Sequence, residues 1–287
     1  MSYTSITLKS DPLFAQFPFF HVQRIEDGEL KLPLPPHRKK ETDFLYLTHG
    51  STERTKGLVN YQVFPGHFFF LPKDQISEQT NLAAGSQGYY GYFHQDIFQK
   101  LFHDFEPLSF FSFLQKHHNP LVYVPESRQN KVEWLLETLI QTGKEKHPER
   151  GRLWATYLYA LLLEIAPLQE TQPQLKLNKA HQITRSYLQL LENRIYEWKK
   201  VADYADYLEI STDHLNKCVK TTLGKTSQEL LGDMVILETK VLLRQTDFPI
   251  QQIATYMAGG SPSDFARFFK LRTRMSPKDY RRFALEF

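Results

Sequence analysis

Between residues 211 and 280 the chain repeats itself at an offset of 50. Ser211 pairs with Ser261, Leu215 with Phe265, Lys217 with Arg267, Val219 with Phe269, Lys220 with Lys270, Thr226 with Ser276 and Glu229 with Asp279. Each copy reads as a cap residue, an apolar and basic helix, a break and a second capped helix, which is the sequence form of a helix-turn-helix. No other feature constrains the fold as tightly, and two such units in one chain point to double-stranded DNA.

Local signals mark the boundaries. Asn178 can cap a helix carrying Ala180, Ile183, Tyr187, Leu190 and Leu191 inward, and Trp198 to Leu208 is predicted as the first helix of the first helix-turn-helix. Ser211 caps the second. On that helix Leu215, Cys218 and Val219 share the apolar face, which leaves Thr212, Asp213, Asn216, Lys217 and Lys220 exposed as candidate readers. A long helix follows from Thr226, with Leu230, Met234, Leu237 and Val241 inward, and can hold two lobes together. Pro249 opens the second copy, where Ile253 and Ala254 match Tyr204 and Ala205. Thr226 with Glu229, Ser261 with Asp264 and Ser276 with Asp279 each place a hydroxyl at a cap and a carboxylate three residues on. Pro262 and Pro277 take first helical positions, where a missing N–H costs nothing. Asp264 therefore reads as scaffold. The copies diverge at the turn, since Ala205 lies ten residues before Leu215 and Ala254 eleven before Phe265. Gly259-Gly260 is expected to make the second lobe the more adjustable one.

Charge follows the repeat. Residues 176–287 hold 18 Lys and Arg against 13 Asp and Glu, whereas residues 1–175 hold 17 against 19. Seven basic residues fall between Arg267 and Phe287, a density suited to phosphate neutralisation, with a solvated basic face as the alternative. No run of 18 apolar residues occurs, and Met1 to Ser10 lacks a basic segment followed by an apolar one. A cytoplasmic protein without a membrane span or signal peptide is expected. The single cysteine, Cys218, excludes an internal disulfide and a thiolate zinc site, and reads as a small core residue.

The chain before the repeat changes character twice. From about residue 20 to 95, aromatic and β-branched runs at 43–47, 58–64, 67–71 and 89–93 are punctuated by Pro and Gly, which suggests a small antiparallel barrel or sandwich. From about residue 127 the period becomes helical: Val132, Leu135, Leu136 and Leu139 form one stripe, and Trp154, Tyr157, Leu158, Leu161, Leu162 and Ile165 another, closing before Pro167. These helices serve either a homodimer interface or intradomain packing. The predicted organisation is therefore residues 1–166 as an amino-terminal sensor and dimerisation domain, 167–176 as linker, and 177–287 as the double helix-turn-helix domain.

Over about residues 178 to 283 the chain resembles the AraC/XylS transcription regulators. The segments YADYLEISTDHLNKCVKTTLGKTSQEL and IQQIATYMAGGSPSDFARFFKLRTRMSPKDYRR carry the likeness, and Phe265, Arg267, Phe269, Lys270, Ser276, Pro277, Tyr280 and Arg281 are its most specific part. The resemblance implies two lobes joined by a long helix, with two recognition helices in successive major grooves, and activation through RNA polymerase. Asp213, Asn216 and Lys217, and Pro262, Ser263 and Arg267 beside the cap Ser261, occupy the groove-facing slots. The chemistry agrees: Arg267 can donate twice to guanine, Asn216 can pair with adenine, and Lys217 can reach guanine or phosphate. Lys220, Lys270 and Arg272 would hold register on the backbone. Three departures stand out. Ala258, Gly259 and Gly260 occupy the second turn, Arg274 stands where a Gly usually precedes the last capped helix, and Val235 replaces an Arg of the linker helix.

The amino-terminal segment resembles the cupin-like sensor domains attached to that family, so the expected class is α+β: a cupin-like β-barrel with two amphipathic helices, then an all-α domain. His37 and the alternating Phe44, Tyr46, Phe68 and Phe70 are candidates to surround a small-molecule effector, although such residues more commonly fill a core. A cupin-type metalloenzyme with an accessory helical domain is the alternative. His37 and Glu41 are present for it, but Lys39 stands in the paired ligand position and Ser77 where the late His would be, so no metal or cofactor is implied. No catalytic triad or phosphate loop has interpretable spacing. The reading is a DNA-binding regulator, not an enzyme.

Overall fold

A computed structural model of the chain describes residues 20–25, 34–94, 97–98, 111–170, 178–258 and 261–286. Two compact units emerge, one drawn chiefly from residues 10–34 and 38–173, the other chiefly from 174–287.

The amino-terminal unit carries strands β1 (Phe20–Ile25), β2 (Leu34–Arg38), β3 (Thr42–His49), β4 (Thr52–Lys56), β5 (Val59–Val63), β6 (His67–Leu71), β7 (Ile76–Leu82), β8 (Gln87–Phe93) and β9 (Leu121–Tyr123). They form a five-stranded sheet ordered β1-β8-β3-β6-β9 and a four-stranded sheet ordered β2-β7-β4-β5. No closed barrel is traced among the described residues; the barrel expectation resolves into two facing sheets. Alternation on β3 explains the layering. Phe44 and Tyr46 point to one side, where helices α1 (Glu126–Lys144) and α2 (Arg150–Glu170) cover them with Val132, Leu136, Leu139, Trp154, Leu158 and Leu162. Leu45 and Leu47 point to the other, meeting Phe69, Leu71, Tyr92 and Val63.

Strands β4 and β7 lie outside the sequence reading for a physical reason: their inward side chains are polar. Thr52, Arg54 and Lys56 alternate inward on β4. Gln79 Nε2 donates to Thr52 Oγ1 at 3.1 Å, and Arg54 Nε to Ser77 Oγ at 3.3 Å. Arg54 also bridges the sheets, placing Nη2 2.9 and 2.8 Å from the two oxygens of Asp43, and Lys39 Nζ lies 2.7 Å from the same carboxylate. Burial alone would push the Asp43 carboxyl up, but the two cations outweigh it and hold it below the usual carboxylate range. Lys39, which breaks the metal-ligand pattern in the sequence, is thus one of two cations in a buried ion-pair cluster.

Helix α2 does not end before Pro167 but runs through it to Glu170, and the rest of the linker expected at 167–176 lies outside the described residues. Proline here removes one bond to the Leu163 carbonyl within the last turn. Ile165 and Leu168, buried on either side, hold the turn in place.

The helical unit contains α3 (Lys179–Arg194), α4 (Val201–Tyr207), α5 (Thr212–Leu223), α6 (Ser227–Gln245), α7 (Ile250–Ala258), α8 (Pro262–Thr273) and α9 (Pro277–Ala284). Helix α4 starts three residues later than the apolar pattern suggests, because Lys200 is extended and its N–H donates to Asp203 Oδ2 at 3.1 Å. Trp198, left outside, packs its ring 5.2 Å from that of Tyr204, which is fully buried. The two helix-turn-helix copies end their recognition helices alike, in left-handed backbone: Gly224 at φ 69° and Arg274 at φ 63°. Only glycine adopts that conformation without steric cost. Arg274→Gly should therefore raise the unfolding free energy by about 1 kcal/mol, read as a higher midpoint in thermal unfolding, whereas Gly224→Arg should lower it.

Candidate nucleic-acid interface

Helices α5 and α8 are built to the same plan. Ser211 accepts from His214 N and Ser261 from Asp264 N at their N-caps, and buried Leu215, Cys218 and Val219 on α5 match buried Phe265 and Phe269 on α8. With those residues inward, helical geometry turns Thr212, Asp213, Lys217 and Lys220 outward on the first helix, and Ser261, Pro262, Ser263, Arg267 and Lys270 outward on the second; all are exposed. Lys217 and Arg267 sit at equivalent places. The expected readers thus fall on two like faces, one per lobe.

Two of the residues expected to contact DNA also have partners within the protein. Asn216 is half-buried, and its Oδ1 accepts from the backbone N–H of Ser227 at 3.1 Å and from its Oγ at 3.4 Å. Ser227 is the first residue of α6, whose N–H has no partner within the helix. The second copy confirms the logic from the opposite side: the residue matching Ser227 is Pro277, which has no N–H, and the residue matching Asn216 is Ala266, which offers no acceptor. Pairing with adenine would need the same Asn216 oxygen. Arg272, though exposed, donates from Nη1 to Asp233 Oδ1 on α6 at 2.5 Å, with its guanidinium 5.4 Å from the Phe268 ring centroid. Arg281, one of the seven clustered basic residues, donates to the carbonyls of Leu243 and Phe248 at 3.2 and 2.6 Å. The basic surface left outward is thus smaller than composition suggests.

Other features were not anticipated. Leu271 and Arg274 line a shallow cavity of about 230 Å³ with Arg267 and Lys270, which gives the second reading face an apolar margin. In the first turn Glu209 takes a left-handed φ of 55°. Its counterpart, Gly259-Gly260, on which the expectation of a more adjustable second lobe rests, lies outside the described residues. The three proposed boxes differ in completeness. Thr226 and Glu229 form one in full, whereas Ser261 and Ser276 each accept from the N–H three residues on.

In the amino-terminal unit, Phe44, Tyr46, Phe68 and Phe70 are fully buried and in mutual ring contact, with centroids 4.5 Å apart for Tyr46 and Phe68 and 5.2 Å for Phe68 and Phe70. These four side chains pack as core between sheet and helices. His37 is buried, its Nδ1 3.0 Å from the Pro35 carbonyl oxygen. A cleft of about 680 Å³ opens elsewhere, lined by Arg24, Thr48, His49, Tyr89, Gln129 and Glu133 among others.

Residues 204–282 match a family model described as a helix-turn-helix domain. Those residues of the helical unit thus carry a helix-turn-helix domain. An HTH-type transcriptional regulator of Staphylococcus aureus, itself uncharacterized, is 28% identical over 158 residues, covering 49% of this chain and 21% of that protein. The xylose operon regulatory protein of Haemophilus influenzae is 33% identical over 82 residues, covering 29% of this chain and 21% of its own length. The chain thus spans about a fifth of the length of the curated relatives it matches. Among solved structures, ToxT from Vibrio cholerae O395 is similar over 93% of this chain and 97% of that one, at 16% identity and a TM-score of 0.42. A transcriptional regulator with an AraC-type DNA-binding domain from Chromobacterium violaceum covers 37% of this chain and 94% of its own, at 22% identity and a TM-score of 0.35. No helix among the described residues is long and apolar enough to cross a membrane.

The two helix-turn-helix lobes make the role of Asn216 testable. Asn216→Ala should cost about 1 kcal/mol in thermal unfolding, the usual loss of a cap, and leave sequence preference unchanged. Adding Ser227→Pro, which removes the orphaned N–H, should recover most of that loss. A relaxed preference at one base pair in Asn216→Ala would instead restore the base-reading role.

Proposed function

We propose that the chain is a sequence-specific DNA-binding transcriptional regulator that places α5 and α8 in two successive major grooves on one face of the duplex. The observation that carries this reading is the matched pair of exposed basic side chains, Lys217 and Arg267, at equivalent positions on two capped helices. Successive grooves lie roughly 34 Å apart, one helical turn, so the target is a pair of direct rather than palindromic half-sites. Arg267 donates to guanine O6 and N7, a contact worth about 1 to 3 kcal/mol of discrimination. Lys217 reads guanine or holds phosphate, and Thr212, Asp213, Pro262 and Ser263 shape the two faces. Lys220 and Lys270 set register on the backbone.

Residues 1–166 form the regulatory and dimerising part of this proposal, and activation proceeds through contact with RNA polymerase in the cytoplasm. Helices α1 and α2 leave Trp134 61% and Leu163 50% exposed, apolar surface that a homodimer would cover. For a small-molecule effector, the cleft beside Arg24, Tyr89 and Glu133 offers space that the packed aromatic core does not.

Binding measured against a panel of duplexes separates the roles. Arg267→Ala should relax preference at one position, whereas Lys270→Ala should weaken binding to all sequences and lower the salt slope by about 1. Equal, sequence-independent losses from both changes would remove Arg267 as a reader.

A further inference from the structure

We propose that the first turns of α6 are a common seat that fixes the separation of the two recognition helices, with Asp233 as the positioning residue at its centre. This rests on the DNA-binding reading above and deepens it, since the seat selects which half-site spacing the protein accepts.

Each recognition helix is fastened to this one stretch of α6. Helix α5 reaches it through Asn216, whose side-chain oxygen takes the Ser227 N–H at 3.1 Å. The segment that follows α5 is held again by Lys225, whose Nζ donates to Asp233 Oδ2 at 2.8 Å. Helix α8 arrives from the other lobe, and Arg272 donates to the second oxygen of the same carboxylate at 2.5 Å. One side chain thus joins the end of the first helix-turn-helix to the last turn of the second recognition helix.

The place is shaped for the arginine. A Cβ on Gly232 would come within 2.9 Å of Arg272 Nη2 and 3.1 Å of Cζ, so the missing side chain leaves the room in which the guanidinium lies. The Phe268 ring, 5.4 Å from Cζ, lies against it as well. Asp233 and Arg272 keep only 25% and 32% of their side-chain surface exposed. The arrangement is not part of the repeated plan. The residue matching Arg272 in the first copy is Thr222, which bonds back to the Cys218 carbonyl of its own helix at 2.9 Å. Partly exposed ion pairs contribute little to overall stability. A carboxylate with one oxygen for each lobe instead restricts how the lobes tilt and slide against each other, and on DNA that restriction becomes a preference for one separation.

The test uses the full chain and two readouts. In the first, duplexes carrying the half-sites recovered by selection have their separation changed in single base-pair steps. The parent protein should bind one spacing best and lose about tenfold at the neighbouring ones. Asp233→Asn and Gly232→Ala should each flatten this profile to within about threefold, while affinity for a single half-site stays within about twofold. The second readout needs no DNA: spin labels at Thr221→Cys and Leu271→Cys, in a Cys218→Ala background, report the distance distribution between α5 and α8. It should be narrow in the parent and broader in both variants. A sharp spacing optimum kept by both variants, with unbroadened distances, overturns the seat and leaves the DNA reading intact. A parent protein that prefers no duplex overturns the DNA reading and, with it, the spacing role.

Discussion

The first N–H of α6, on Ser227, is taken by the side-chain oxygen of Asn216 at 3.1 Å, and the carbonyl of the same residue accepts from the Tyr187 hydroxyl at 2.8 Å. Those two bonds tie α3, α5 and α6 at one point. Tyr187 and Tyr204, both fully buried with centroids 5.4 Å apart, carry the tie to α4. From this junction α6 runs as a mostly buried rod on which Met234, Leu237, Val241 and Leu242 serve one lobe after the other. Its far end is secured by Arg281, which donates to the Leu243 and Phe248 carbonyls. Basic residues in this unit therefore divide into two kinds. Arg281 satisfies backbone acceptors of the fold and Arg272 a carboxylate of α6, while Lys217, Lys220, Arg267 and Lys270 remain outward, where phosphates and base edges can be met.

Helix caps and apolar spacing carry their own chemistry within a few residues, and for that reason α5, α6, α8 and α9 were legible in the sequence almost to the residue. Ser211, Thr226, Ser261 and Ser276 all cap as their neighbours require. The bond from Ser227 to Asn216 was not legible, because Ser227 lies eleven residues on and the bond depends on tertiary approach. The repeat itself held the missing signal: Asn216 with Ser227 in one copy becomes Ala266 with Pro277 in the other, so donor and acceptor disappear together. The pairing of Arg272 with Asp233 was hidden for a similar reason. Nothing within a helical turn of it announces Gly232 and Asp233.

The amino-terminal unit shows the limit of pattern reading in β structure. Strands β3, β6 and β8 announce themselves through aromatic runs, and the faces they bury on both sides make the sheet. Strands β4 and β7 face inward with Thr52, Arg54, Lys56, Ser77 and Gln79, a polar interior that hydropathy assigns to the surface. Such an interior is tolerated because its groups bond to one another, with Asp43 holding Arg54 and Lys39. A run of alternating aromatics is consistent with a ligand face and, more commonly, with a core. Helices α1 and α2 cover Phe44, Tyr46, Phe68 and Phe70, which are completely buried.

The central claim is that two matched helices read two half-sites as one rigid unit. Selection from a random duplex pool by the full protein tests it most directly. The account predicts an enriched motif of two unlike elements in direct orientation, about one helical turn apart, with guanine at the Arg267 position. Enrichment of a single element, of an inverted repeat alone, or of no sequence at all would contradict it.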